Sequence, residues 1–332
     1  MSLSQSDIPQ DILSAVTTLD VKLLKILLLN KRKGTATLLV TGERTNSKAV
    51  LKCISRDSPD VEKRRFENEI KFYCSYSGPK MSPEYISSGY TYLMLEYVDS
   101  ITLREKISVY LKPSTTSIDK WGVLSFLEKQ AYEIVNYYSS LLSLSEGKIS
   151  NIEEATSDLL SIYGKLAMSG PFTTERSTLA KLISKTLYLL TRLNVKRRLG
   201  KLLRSNEELL KTGLTHHDLH LDNILVANST NRVVIIDYAT CQSSGLIIHD
   251  LVYYISTMLT LLEPRTDLKD AFVSLLMDKT KLFPIEFSKV VDLAVLFHQI
   301  GKSNSRFNSE ASLGMIISEY LRFAIKILTV RG

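Results

Sequence analysis

The stretch from His216 to Asp237 constrains this chain more than any other. It reads HHDLHLDNIL, and after a polar turn at Asn228–Arg232 it continues VVIIDYA. Ile224–Ala227 and Val233–Asp237 have the β-branched, apolar content of short strands, and a turn between them makes a hairpin. Asp218 and Asn223 lie five positions apart on the polar loop before the first strand, and the hairpin returns Asp237 beside Asn223. Such a set suits phosphoryl transfer. That reaction needs an acceptor hydroxyl held in line and cations on the phosphate oxygens, with little covalent help. Asp218 is the candidate base that orients the hydroxyl and takes its proton. Asn223 and Asp237 are the candidate ligands for Mg²⁺, a hard ion that prefers oxygen. Two alternatives stand beside this reading: a polar loop without chemistry, and zinc. His216, His217, His220 and His249 are four of the five histidines, and His216 and His220 have the spacing of helical zinc ligands. Against zinc, the segment has loop character and no H-E-x-x-H glutamate.

The first hundred residues are strand-like. Val21–Leu29, Thr35–Val40 and Ala49–Ser55 are apolar runs joined by the polar turns NKRKG and TGERTNS, which makes a meander. Val61–Tyr76 then predicts a helix, with Val61, Phe66, Ile70 and Tyr73 near helical spacing. Pro79 and Pro83 end it, and Glu84–Tyr90 and Tyr92–Val98 predict two further strands. At Thr102 the pattern turns helical. Thr102 and Glu105 form a T-x-x-E capping box. Helical character runs to about Lys211, with breaks near Pro113, Gly147 and Gly170–Pro171 and with clear apolar periodicity in Leu179–Leu193 and Leu199–Leu210. After the hairpin, Asp250 to Ile327 is helical again, broken at Pro264 and Pro284.

H-x-D-L-x-x-x-N is matched by His216, Asp218, Leu219 and Asn223, and the second Asp follows across a short hairpin. In this the chain resembles the protein-kinase-like superfamily, with Tyr238 and Ala239 where the D-F-G motif has Phe and Gly. His220 stands where protein kinases usually carry Lys, and the loop resembles H-G-D-L-H-x-x-N of the aminoglycoside phosphotransferase and choline kinase family, with His217 in place of the Gly. The resemblance spans roughly Leu23 to Tyr254 and is strongest around His216–Asp237. It implies an α+β, protein-kinase-like two-lobed fold. A small antiparallel β lobe would occupy residues 1–97 and a larger, mostly helical lobe residues 98–332, with a helical insertion at about 102–211.

The resemblance also implies the rest of a nucleotide site. Lys52, mid-strand in AVLKCIS, would hold the α- and β-phosphates of ATP. Glu69 would pair with it, and Glu67 is the second choice; Glu69 shares a helical face with Phe66, Phe72 and Tyr73. Glu96, Tyr97 and Val98 would offer backbone groups to the adenine. Gly34 is the one glycine of NKRKGTAT, the phosphate-covering loop, where Lys31, Arg32 and Lys33 either supply charge or form a solvated turn. His216 and Asp250 would support the catalytic loop, and Asp250 also has the option of capping its helix.

The implied activity is transfer of the γ-phosphate of Mg-ATP to a hydroxyl of a small molecule. Asp250 follows Asp237 by only 13 positions, and no A-P-E occurs, which leaves little room for a peptide-docking segment. A compact atypical Ser/Thr protein kinase and a nucleotide-binding pseudokinase are the other readings. The stretch Lys196–Arg204 either attracts an anionic acceptor or is a solvated helix face.

Composition sets the remaining bounds. The net charge of +7 over 332 residues suits an anionic ligand but is too small to imply nucleic-acid binding, which usually shows a concentrated basic face. Cys53, Cys74 and Cys241 are odd in number and far apart, against both a disulfide framework and a cysteine metal site. The polar N-terminus lacks a signal pattern, and the apolar run Leu251–Leu262 is shorter than the ~20 residues of a membrane span. The expected setting is cytoplasmic.

Overall fold

The computed structural model describes residues 7–42, 47–76, 81–111, 120–144, 148–168, 192–193, 195–278 and 287–306. The chain divides into two compact units, Met1–Lys106 with Asp222–Cys241, and Ile107–Leu221 with Gln242–Gly332.

The first unit is built on a five-stranded antiparallel sheet, in the order β1-β2-β3-β5-β4. Its strands are β1 (Val21–Asn30), β2 (Thr35–Gly42), β3 (Lys48–Ile54), β4 (Tyr85–Ser88) and β5 (Tyr92–Glu96). The predicted meander is therefore present, with ends shifted by a residue or two. Alternation decides which face is buried. Ala36, Leu38 and Val40 of β2 and Ala49, Leu51 and Cys53 of β3 point one way into a core with Met94. A helix that the sequence pattern did not reveal, α1 (Gln10–Thr18), covers that face with Ile12 and Val16, and Ile8 just before it joins them.

Two further elements complete the unit. Helix α2 (Asp60–Ser75) buries Phe66, Glu69, Phe72 and Tyr73, while Val61, at the start of the predicted stripe, is half exposed. A three-stranded sheet in the order β6-β8-β9 joins β6 (Ser100–Thr102) to the hairpin of β8 (Ile224–Ala227) and β9 (Val233–Ile235). The capping box forms as expected at the start of α3 (Leu103–Tyr110). The Thr102 N–H donates to Glu105 Oε2 at 3.1 Å, and the Glu105 N–H donates to Thr102 Oγ1 at 3.1 Å.

The second unit is helical. It holds α4 (Lys120–Ser143), α5 (Ile152–Met168), α6 (Ile247–Leu261), α7 (Thr266–Asp278) and α8 (Phe287–Arg306). Helix α6 is its axis, buried along nearly its whole length and packed on α8, α4, α5 and the strand Thr212–Thr215. That all-round burial explains the apolar run of the sequence, and no described helix is long and apolar enough to cross a membrane. Two strands that the sequence did not reveal, β7 (Thr212–Thr215) and β10 (Gln242–Leu246), pair antiparallel on either side of the loop and hairpin in the chain.

Helix 195–204 buries Val195, Leu199 and Leu203 and exposes Lys196, Arg197, Lys201 and Arg204, the pattern of a solvated basic face. It stops short of the predicted Leu210, and a separate short turn of helix takes Glu207–Leu210. Residues 179–191 of the periodic stretch, the breaks at Pro113, Gly147, Gly170–Pro171 and Pro284, and the predicted helix beyond Arg306 lie outside the described residues.

Candidate active site

In the first unit, strand register sets Lys52 on β3 opposite Thr37 and Leu93. Its ammonium meets Glu69 Oε1 of α2 at 2.6 Å and lies 3.9 Å from Asp237 Oδ1. Glu69 is 3% exposed, so it is a carboxylate taken out of water against one lysine, whereas Glu67 faces solvent. Burial works against the Lys52 charge, but Glu69 and then Asp237 outweigh it and hold its pKa above the usual lysine value.

Asp237 is fixed by its own backbone and by its neighbour. It has φ 65°, a left-handed conformation that Asp tolerates better than most residues. The next ring, Tyr238, stacks on Phe72 of α2 at 3.7 Å between centroids and meets Tyr73 edge-on at 6.0 Å. The helix that carries Glu69 thus also anchors the residue beside Asp237. Asn223 is buried, and its carbonyl accepts the Ile236 N–H at 3.0 Å, so the β8–β9 hairpin brings Asn223 alongside the Ile236–Asp237 step. The Arg104 Nε–H is shared between the two carboxylate oxygens of the neighbouring Asp222, at 2.9 and 2.8 Å.

The other expected nucleotide contacts are also placed in the first unit. Glu96 donates its N–H to Glu84 O at 2.8 Å inside the sheet, and Val98 O accepts from Ser100 Oγ at 2.9 Å. Two of the backbone groups of Glu96–Val98 are therefore used by the fold. Lys48 sits over the Tyr97 ring at 5.6 Å. Gly34 has φ 66°, and its carbonyl accepts from the Ser55 N–H at 2.8 Å and Ser58 Oγ at 3.0 Å. A Cβ there would lie 2.3 Å from Ser58 Oγ, so this glycine serves the turn itself. Lys31 pairs with Asp7 at 2.7 Å and Lys33 with Glu62 at 3.5 Å, and both are solvent-facing pairs.

In the second unit the loop from His216 to Leu221 hangs from Asp250. This fully buried carboxylate accepts the N–H of His216 at 2.6 Å, the N–H of His217 at 2.8 Å and the Tyr138 hydroxyl at 2.9 Å. It does not cap its helix, because α6 starts at Ile247 and Leu246 holds the N-cap position. Burial opposes ionisation of Asp250, but the adjacent His249 and the His216 N–H outweigh it and keep its carboxyl below the usual range. The Asp218 N–H donates to His216 Nδ1 at 3.3 Å, which leaves the proton of a neutral His216 on Nε2.

The His217 substitution also has a physical reading. Its φ is 64°, where glycine is at ease and a histidine is strained by roughly 1–2 kcal/mol. Its ring offsets that cost through Nε2 to Asp158 Oδ1 at 2.5 Å and a parallel stack on His249 at 4.1 Å. Donor atoms of Asp158, His217 and His249 lie within 4.8 Å of one another. The two rings are only 8° from parallel, however, so their in-plane lone pairs cannot converge on one ion. The zinc alternative loses its geometry there, and the His216–His220 pair is not on a helix.

Sequence reasoning missed Lys165. From α5 its ammonium reaches the His217 carbonyl and Asp218 Oδ1, the latter at 3.1 Å, and it lies 5.1 Å from the Tyr253 ring centroid. His220 Nε2 is 3.8 Å from the other Asp218 oxygen. Asp158, Ser161 and Lys165 fall on one stripe of α5: Asp158 and Lys165 meet the loop, and Ser161 meets His249 Nε2 of α6 at 3.1 Å. Nothing in the sequence of this helix marks the stripe.

Residues 170–275 match the model of the phosphotransferase enzyme family. A choline kinase from Cryptosporidium parvum is similar over 97% of this chain and 94% of its own, at 12% identity and a TM-score of 0.52. The chain has the protein-kinase-like fold. Its likeness is to the phosphotransferase enzyme family over that one segment and to the choline kinase in fold. An ethanolamine kinase from Plasmodium vivax is similar over 98% of this chain and 85% of its own, with 12% identity and a TM-score of 0.48. No curated protein sequence matches the chain.

Proposed function

We propose that this protein transfers the γ-phosphate of Mg-ATP to a hydroxyl of a small molecule. The observation that carries the proposal is the buried Lys52–Glu69 pair, with Asp237 beside it. A lysine kept charged by two carboxylates is suited to gripping a polyphosphate, and the phosphotransferase family segment, which covers Asp218, Asn223 and Asp237, supports the same chemistry. Lys52 would hold the α- and β-phosphates and Glu69 would fix its ammonium. The backbone of Glu96, Tyr97 and Val98 would meet the adenine, and the Gly34 turn would lie over the phosphates.

Asp237 and Asn223 supply one carboxylate and one amide oxygen, the hard donors that Mg²⁺ takes. Bound there, the ion would neutralise charge on the β- and γ-phosphate oxygens. Asp218 would orient the acceptor hydroxyl and take its proton as the oxygen bonds to the γ-phosphorus and the bond to the β-phosphate oxygen breaks, releasing ADP. His216 and Asp250 keep the Asp218 backbone in place. The short path from Asp237 to Asp250, occupied by β10 and the start of α6, favours a small acceptor over a peptide.

The test is ADP release from Mg-ATP across hydroxyl-bearing metabolites, nucleosides, sugars and generic protein substrates. Stimulation by one small-molecule class supports the proposal. Labelling of proteins alone would replace it with the protein-kinase reading, and absence of both turnover and nucleotide binding with the pseudokinase one.

A further inference from the structure

Helix α5 meets the His216–Leu221 loop at two points about two turns apart, all within the second unit. At the first, Asp158 Oδ1 lies 2.5 Å from His217 Nε2, and Asp158 Oδ2 accepts the Leu246 N–H at 3.3 Å. At the second, the Lys165 ammonium donates to the His217 carbonyl and to Asp218 Oδ1, the latter at 3.1 Å, and lies 5.1 Å from the Tyr253 ring centroid. In the loop itself, His220 stands where the protein-kinase motif has its Lys, and its Nε2 is 3.8 Å from Asp218 Oδ2, beyond hydrogen-bond distance.

A lysine on an accessible carboxylate ordinarily fixes little, because both side chains move and water screens the pair. Lys165 differs in what else it holds. The His217 carbonyl belongs to the peptide that joins His217 to Asp218, so one ammonium ties the Asp218 carboxylate to the backbone directly before it. Asp218 can leave its rotamer only by giving up a charge-assisted hydrogen bond. The loop backbone is held separately by Asp250, which accepts the His216 and His217 N–H groups. Asp250 thus fixes the backbone and Lys165 the side chain. A base works only within hydrogen-bond reach of the proton it takes, and a misplacement of about 1 Å costs on the order of a hundredfold in rate.

We propose that Lys165 is a positioning residue: it orients the Asp218 carboxylate for proton transfer and acts through Asp218 alone, whatever the acceptor. This rests on the phosphotransferase reading of the site, in which Asp218 is the base.

The experiment is a double-mutant cycle on ADP release from Mg-ATP, run with water as the acceptor and with whichever of ethanolamine, choline, glucose, glycerol and adenosine stimulates most. Wild type, Lys165→Met, Asp218→Asn and the double variant are compared as turnover per bound Mg-ATP, so that unfolded protein does not count. Lys165→Gln, polar and shorter than lysine, takes the place of Lys165→Met should that variant bind no nucleotide. Lys165→Met should lower kcat about tenfold to a hundredfold and leave KM for Mg-ATP within about twofold of wild type. In the Asp218→Asn background the same change should lower turnover by no more than about twofold, because residues that act as a unit are not additive. An undiminished loss in that background overturns the inference, since Lys165 would then act on the phosphates or on the loop as a whole. A loss confined to KM for Mg-ATP, a kcat equal to that of wild type, or loss of Mg-ATP binding in both Lys165 variants overturns it too, and in each of these cases phosphoryl transfer stands. No turnover by wild type, or equal turnover by wild type and Asp218→Asn, overturns the phosphotransferase reading itself, and the inference with it.

Discussion

At the residue scale, one ion pair and one buried carboxylate carry testable consequences. Replacing Lys52 by Met removes a charged donor from the proposed phosphate contact. Charge-assisted hydrogen bonds contribute about 1.5–3 kcal/mol, so kcat/KM for Mg-ATP should fall about tenfold to a hundredfold. Glu69→Gln, which keeps a polar partner but not the charge, should cost less, and steady-state kinetics with varied ATP measure both. Asp250 is the second case. Its folded-state pKa is lowered, so the unfolded chain binds its proton more readily. Its contribution to stability is thus complete above the usual carboxylate range near pH ~4 and is lost as pH falls through the lowered folded value. Asp158, lowered against its own burial by His217 and then His249, acts in the same direction. Thermal melts from pH 7 to 3 should show a falling midpoint for wild type and a shallower fall for Asp250→Asn, which should also be less stable at pH 7. A steeper fall in the variant would contradict this. The motif residues were legible because H-x-D-L-x-x-x-N is local: Asp218, Asn223 and Asp237 are tied by one loop and one hairpin. Lys165 was not, since its contact with Asp218 depends on how α5 packs against a loop more than fifty residues along the chain.

At the element scale, the legible parts were those whose period matches their burial. Strands β2 and β3 alternate up to Val40 and Cys53, α2 presents Glu69 among Phe66, Phe72 and Tyr73, and Thr102 and Glu105 close a reciprocal cap. Strands β7 and β10 read TGLT and QSSGL, too short and too poor in apolar residues for any alternation to register. Helix α1 was hidden because only Ile12 and Val16 of its nine residues are buried. Its weight in the fold is nonetheless testable. Ile12 is 1% exposed in the sheet core, so Ile12→Ala should cost about 2–5 kcal/mol in chemical unfolding. Thr102→Ala, which removes one half of the cap, should cost about 0.5–2 kcal/mol. An effect of Ile12→Ala below that of Thr102→Ala would mean that α1 is not part of the core.

At the scale of the whole molecule, each compact unit holds part of the proposed chemistry: Lys52, Glu69, Asn223 and Asp237 in one, Asp218, Asp250 and Lys165 in the other. The thiols report on the integrity of the first unit. Burial, and then the charge of Asp11, push Cys53 up to about 12, so its thiolate is negligible near pH 8. Cys74 is exposed. Alkylation of native protein should modify Cys74 and spare Cys53 until denaturant unfolds the sheet core; rapid native labelling of Cys53 would show that core to be open. The kinase-like reading itself is tested most directly by measuring Mg-ATP affinity and acceptor-stimulated ADP release together, for wild type and Asp218→Asn. If Asp218 is the base in a site whose nucleotide is held by Lys52 and Asp237, the variant should bind Mg-ATP about as well as wild type and lose on the order of 10²–10⁴ in turnover. Equal turnover in the two proteins, or no Mg-ATP binding by wild type, would contradict it.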